Sequence, residues 1–92
     1  MPTQSVDPRT GQSFGPAITD SSAEDVDSVV RAASEAGLVW GDLAPASRAS
    51  ALRAVADALD ARADDLVALA DRESGLGQAR LAGELALSLI HI

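Results

Sequence analysis

The sequence predicts a mainly α chain: a short N-terminal hairpin or turn followed by three to four helices. Three observations carry that expectation. Apolar residues recur at helical spacing from Leu52 to Ala70. Capping signals open and close the helical stretches, with Ser21-Ser22 before Glu24-Asp25 and Gly75 and Gly77 after Ser74. Turn chemistry without helical periodicity is confined to the first twenty residues. Helices are expected over roughly 23–36, 46–62, 64–74 and 78–90, with any strand before them.

In chain order, Met1 to Ser5 carry no pattern and are expected to be loose. Asp7-Pro8-Arg9-Thr10-Gly11 is a turn with a mechanism: Asp7 can accept from N–H groups two or three residues on, Pro8 presets φ, and Gly11 supplies a positive φ. Polar-apolar segments flank it, consistent with a small hairpin whose second strand Gly15-Pro16 should limit. Ser21 with Glu24, or Ser22 with Asp25, forms a capping box for the first helix. Ala23, Val26, Val30, Ala33 and Gly37 would be its inner face, with Gly37 ending it. Leu38, Val39 and Trp40 form an apolar knot, and 41–45 a loop. Pro45 precedes the central run, where its missing N–H costs nothing.

That run is the strongest signal. Leu52, Val55, Ala56 and Leu59 lie at i, i+3, i+4 and i+7. The face continues through Ala63, Leu66, Val67 and Ala70, while Arg53, Asp57, Asp60, Asp64, Asp65 and Asp71 are expected to face water. A break at 62–64 would let Asp64 cap a new helix. Gly75 suits a left-handed C-cap, and Leu81 and Leu85 mark a last helix.

Composition bounds partners and compartment. The formal net charge is −7, all seven basic residues are arginine, and such a chain repels phosphate backbones and anionic lipid surfaces. Neither a nucleic-acid nor a membrane partner is expected. The lack of cysteine removes disulfides and thiolate metal sites and fits a reducing, cytoplasmic setting. Nineteen residues are alanine, which buries little area, so the helix faces are weakly driven to pack on one another. The inference is that they pack against something larger, and that the isolated chain has no sharp thermal transition.

Candidate chemistry is sparse. Gly75-Leu76-Gly77-Gln78-Ala79-Arg80 resembles the start of a dinucleotide fingerprint, but Arg80 takes the third glycine position and a helix precedes it where a strand is required. Asp64-Asp65 and Glu24-Asp25 are adjacent on helices, so their side chains diverge and read as a solvated face. Glu73 and Ser74 suit a helix end. His91 is the only histidine, too little for a metal site or a catalytic triad from this chain. Leu87-Ser88-Leu89-Ile90-His91-Ile92 breaks the alanine-rich style and matches one reading frame of a transposon-end sequencing adapter. Residues 87–92 are therefore suspected to be a non-native tail, the alternative being an ordinary helix end.

Taken together, Pro8-Arg9-Thr10-Gly11, the capped Ser22-Ala23-Glu24-Asp25-Val26, Trp40, the arginine- and alanine-rich pair from Arg48-Ala49 to Asp65-Leu66, and Glu73-Ser74-Gly75 resemble the N-terminal segment of an aldehyde dehydrogenase over about residues 6 to 86. The detail is most similar to ketoglutarate-semialdehyde (2,5-dioxopentanoate) dehydrogenases. The resemblance implies that residues 1–86 are an incomplete part of an α/β parent with a Rossmann-like domain. It implies an oxidoreductase using NAD or NADP, a small-molecule aldehyde substrate, a cysteine nucleophile, a water-activating glutamate and homo-oligomeric assembly. It carries no catalytic, cofactor-binding or metal residue onto this chain, which is expected to bind no cofactor and to be inactive alone. The alternative is a self-contained helical module that docks a partner through its apolar stripe.

Overall fold

A computed structural model describes all 92 residues, Met1–Ile92. Its order is β1 (Thr3–Val6), β2 (Ser13–Ile18), α1 (Ala23–Asp42), α2 (Pro45–Ala61), α3 (Ala63–Ser74) and α4 (Gln78–His91). The expected hairpin is present, and it is antiparallel. Its turn closes as the residues dictate: Arg9 N–H donates to Asp7 Oδ1 at 2.8 Å, and Gly11 N–H donates to the Asp7 carbonyl at 2.7 Å. Gly11 takes φ 73°.

Two expectations about the hairpin fail. Residues 3–5 are not loose but belong to β1. Gly15-Pro16 does not shorten β2, which runs through to Ile18. Ser5 pairs with Phe14 and Thr3 with Ile18, so three residues of β2 oppose Gln4 alone. Gly15, at φ 71°, absorbs this bulge, and in a two-stranded ribbon the missing proline N–H can face an open edge.

The helices follow the capping signals with two corrections. Ser22 caps α1, accepting from Asp25 N–H while its own N–H donates to Asp25 Oδ2 at 2.9 Å. Gly37 does not end α1, which continues to Asp42 and takes in Trp40 and Gly41. A glycine inside a helix costs about 1 kcal/mol relative to alanine but does not break it. A real stop needs partners for the last carbonyls, and Arg48 supplies them, donating Nη1 to the Gly41 and Leu43 carbonyls. The second correction is at the α2–α3 break. Arg62 at φ −113°, not Asp64, stands at the cap, while Asp64 and Asp65 occupy the first turn of α3. There the helix dipole favours them. Gly75 ends α3 in the left-handed conformation, as expected, donating to the Asp71 carbonyl at 2.7 Å.

Packing is uneven. α3 lies on α4, and α2 touches both lightly. Ala63, Leu66, Val67 and Ala70 are half-buried, as are Leu81, Leu85 and Leu89 of α4. Leu52 and Val55 of the expected central face are exposed, and so is every residue of α1, including Val26 and Val30. Phe14 is the one buried side chain. The chain exposes 7090 Å², against about 5,000 Å² for a compact monomer of its mass. Its radius of gyration is 17.2 Å, against about 12 Å for a compact domain of this length. No helix is long and apolar enough to cross a membrane.

Candidate functional site

Segments distant in sequence converge where the hairpin meets the end of α3. The Pro8-Arg9 turn presents Arg9 across the chain to Asp71, 62 residues on. Arg9 Nη2 lies 2.7 Å from Asp71 Oδ1, and Nη1 reaches Oδ2 at 3.3 Å and the Asp71 carbonyl at 3.1 Å. This forked geometry is the one in which arginine binds a carboxylate most specifically. Asp71 Oδ1 also accepts from Gly77 N–H at 2.9 Å. Its side chain is only 17% exposed, so the expectation that Asp71 faces water is wrong. The helical phase puts it among the aspartates of the polar face, and only the hairpin's arrival covers it.

Neighbouring contacts complete the junction. Ser5 Oγ donates to Glu73 Oε1 at 2.6 Å. The Arg72 guanidinium lies over the Phe14 ring, 4.0 Å from its centroid, covering the buried side chain with a cation on its π face. A Cβ added to Gly75 would meet Pro8 Cγ at 3.1 Å, so this glycine serves both the left-handed cap and the close approach of the hairpin. Arg9's hydrogen bond is the main reason the Asp71 carboxyl is held below the usual range. Desolvation opposes it, and the Gly77 amide and Arg9's charge assist. The Arg9 guanidinium is raised in turn, first by its hydrogen bond to Asp71 and then by that charge.

The junction therefore unites two stretches that carried the family resemblance, Pro8-Arg9-Thr10-Gly11 and Glu73-Ser74-Gly75. Trp40 is not brought to it and stays 41% exposed on α1. Ser74 is the last residue of α3, its Oγ donating back to the Ala70 carbonyl at 2.6 Å. Asp64, Asp65 and Glu24 are exposed, whereas Asp25 belongs to the α1 capping box. His91 lies exposed in the last turn of α4, which continues unbroken through Leu87-Ser88-Leu89-Ile90. The glycine turn at 75–77 does not fit a pyrophosphate, because the Gly77 amide is engaged by Asp71 and that carboxylate would confront a phosphate. A solvent-open hollow of about 480 Å³ lies between the α2–α3 bend and α4, lined mostly by alanine, valine and leucine, with Asp60 and Asp64 among its walls. It assembles no nucleophile–base pair. Sequence reasoning missed Arg9, Asp71, Phe14 and Arg72 as a set. The available signal was an arginine at the tip of a rigid turn, which names no partner.

Comparison with known proteins matches residues 2–91 to the aldehyde dehydrogenase family. The chain is similar to a 2-aminomuconic semialdehyde dehydrogenase of Danio rerio, 38% identical over 71 residues, which is 77% of this chain and 14% of that protein. It is similar to an alpha-ketoglutaric semialdehyde dehydrogenase of Bacillus subtilis (strain 168), 38% identical over 69 residues, 75% of this chain and 14% of the relative. The chain thus spans about one seventh of the length of these curated relatives. No solved structure matches it significantly.

Proposed function

The chain belongs to the aldehyde dehydrogenase family, and from that premise we propose that residues 1–86 are the N-terminal helical segment of an NAD(P)-dependent enzyme that oxidises a small semialdehyde to its acid. Ketoglutarate semialdehyde is the substrate we favour, because one relative bears that specificity in its name and the residue-level resemblance points the same way. The observation that carries the reading is the family match across 2–91. The roughly 2,000 Å² of surface beyond that of a compact monomer supports it, since a standard interface buries only about 800 Å² on each partner. In this reading the segment is a scaffold whose helices pack on the remainder of the enzyme; residues 87–92 are proposed as a non-native tail, although the family match extends to residue 91.

Covalent aldehyde oxidation requires an activated nucleophile, and this chain has no cysteine. We assign it no catalytic, cofactor-binding or metal-ligating residue. The nicotinamide, as hydride acceptor, is held by the remainder of the enzyme, a cytoplasmic homo-oligomer. The test pairs the 92-residue chain with an enzyme built by extending the reading frame past Ala86. The extended enzyme should reduce NAD or NADP when given a short semialdehyde and lose that activity when its cysteine is replaced by alanine. The chain alone should bind neither cofactor saturably. Saturable binding by the chain, or an extended frame without a cysteine, would overturn the reading and revive a free-standing interaction module.

A further inference from the structure

The junction is asymmetric in a way that bears on how the chain moves. All of Arg9's hydrogen bonds to α3 end on Asp71. Asp71 faces two ways. Its Oδ1 accepts from the Arg9 guanidinium of the hairpin and from Gly77 N–H on the far side of the α3–α4 turn, while its carbonyl takes Gly75 N–H. Gly77 is itself half-buried, so its N–H has poor access to water as a substitute acceptor. We propose that Asp71 is a two-way catch: one carboxylate seats the hairpin and fixes the angle between α3 and α4. The hairpin is then a strap that can open while the α3–α4 corner holds, because the Gly77 N–H bond to Asp71 does not involve Arg9. The proposal rests on this geometry alone, so its failure leaves the enzymatic reading untouched.

The cysteine-free chain allows spin labels to be placed at will. Labels at Gln12→Cys and Asp65→Cys report the hairpin against α3, and labels at Asp65→Cys and Leu87→Cys report the α3–α4 angle. Pulsed dipolar spectroscopy on the 92-residue chain should give narrow distance distributions for both pairs, because the corner can hold locally in a chain that lacks a cooperative thermal transition. Arg9→Ala should broaden the first at least twofold and leave the second unchanged. Asp71→Ala should broaden both. Asp71→Asn keeps an oxygen for the Gly77 amide while removing the charge, so it should behave like Arg9→Ala. If Asp71→Ala loses its helical circular dichroism, Asp71→Asn decides. Broadening of the α3–α4 pair by Arg9→Ala, an unchanged pair in Asp71→Ala, or broad distributions for both pairs in the unsubstituted chain overturns the proposal.

Discussion

Helix α1 and the corner formed by the hairpin, α3 and α4 use similar ingredients with different results. Each contains an amphipathic helix, and each contains a carboxylate held below the usual range by hydrogen bonds. In α1 it is Asp25, and the donors, Ser22 N–H and then Ser22 Oγ, lie three residues away. In the corner it is Asp71, and the main donor lies 62 residues away. The local device makes a helix and leaves it fully exposed. The distant device seats the hairpin on α3, where Arg72 covers Phe14, and turns a polar-face aspartate into a contact. An apolar stripe and a cap are therefore sufficient for a helix, but burial needs a partner that the stripe does not specify.

The sharpest way to break this contrast is Phe14→Ala. Truncating a buried phenylalanine costs about 3–5 kcal/mol, more than a corner with one buried side chain should hold. Hydrogen exchange should show the amides of β1, β2 and the α3 terminus losing protection, with α1 unaffected. Equal loss in α1 would mean the two regions are not independent. Gly75→Ala comes next. A methyl group would press on Pro8 Cγ at 3.1 Å, and at φ 68° the left-handed conformation alone costs a non-glycine residue about 1–2 kcal/mol. The hairpin should loosen while α1 keeps its helicity.

Acid titration separates the regions by chemistry. Because the folded value of Asp71 lies below an unfolded value of about 3.9, its stabilisation is complete above that value and is lost as pH falls through the folded one. The hairpin should therefore detach below about pH 4 and be insensitive to pH from 6 to 9, as read from the chemical shifts of Phe14 and Gly77. Asp25 obeys the same sign, but its partners are neutral. Added salt should weaken the Arg9–Asp71 contact and spare the α1 cap. Ser22→Ala should cost α1 about 1 kcal/mol of helix stability, visible as fraying at Ala23–Val26 with no change at Phe14. Trp40→Ala should have the smallest effect in this chain, within about 0.5 kcal/mol, because the ring is 41% exposed. In the extended enzyme proposed above, the same change should cost about 3–5 kcal/mol if Trp40 is fully covered there; a red-shifted, readily quenched tryptophan signal in that enzyme would count against the difference.

The features legible in the residues alone are those that short-range physics governs. The Asp7-Pro8-Arg9-Thr10-Gly11 turn, the Ser22–Asp25 box, the breaks near Arg62 and Gly75 and the start of α4 each depend on residues within four or five positions, and each lies where or close to where the pattern put it. The first errors arise where a weak local signal met a longer-range contact. Gly37 read as a stop, yet α1 runs on to Asp42, where Arg48 holds its final carbonyls. Gly15-Pro16 read as a strand end, yet the hairpin absorbs it as a bulge. The junction was legible only in pieces. Nothing in the spacing of seven arginines and fourteen acidic residues names Arg9 and Asp71 as partners, because that pairing requires the hairpin to lie against α3. The tertiary structure alone decided it, along with which apolar face is covered and which is left bare. A helical face states only that it can be buried, and the geometry of the other elements supplies what buries it.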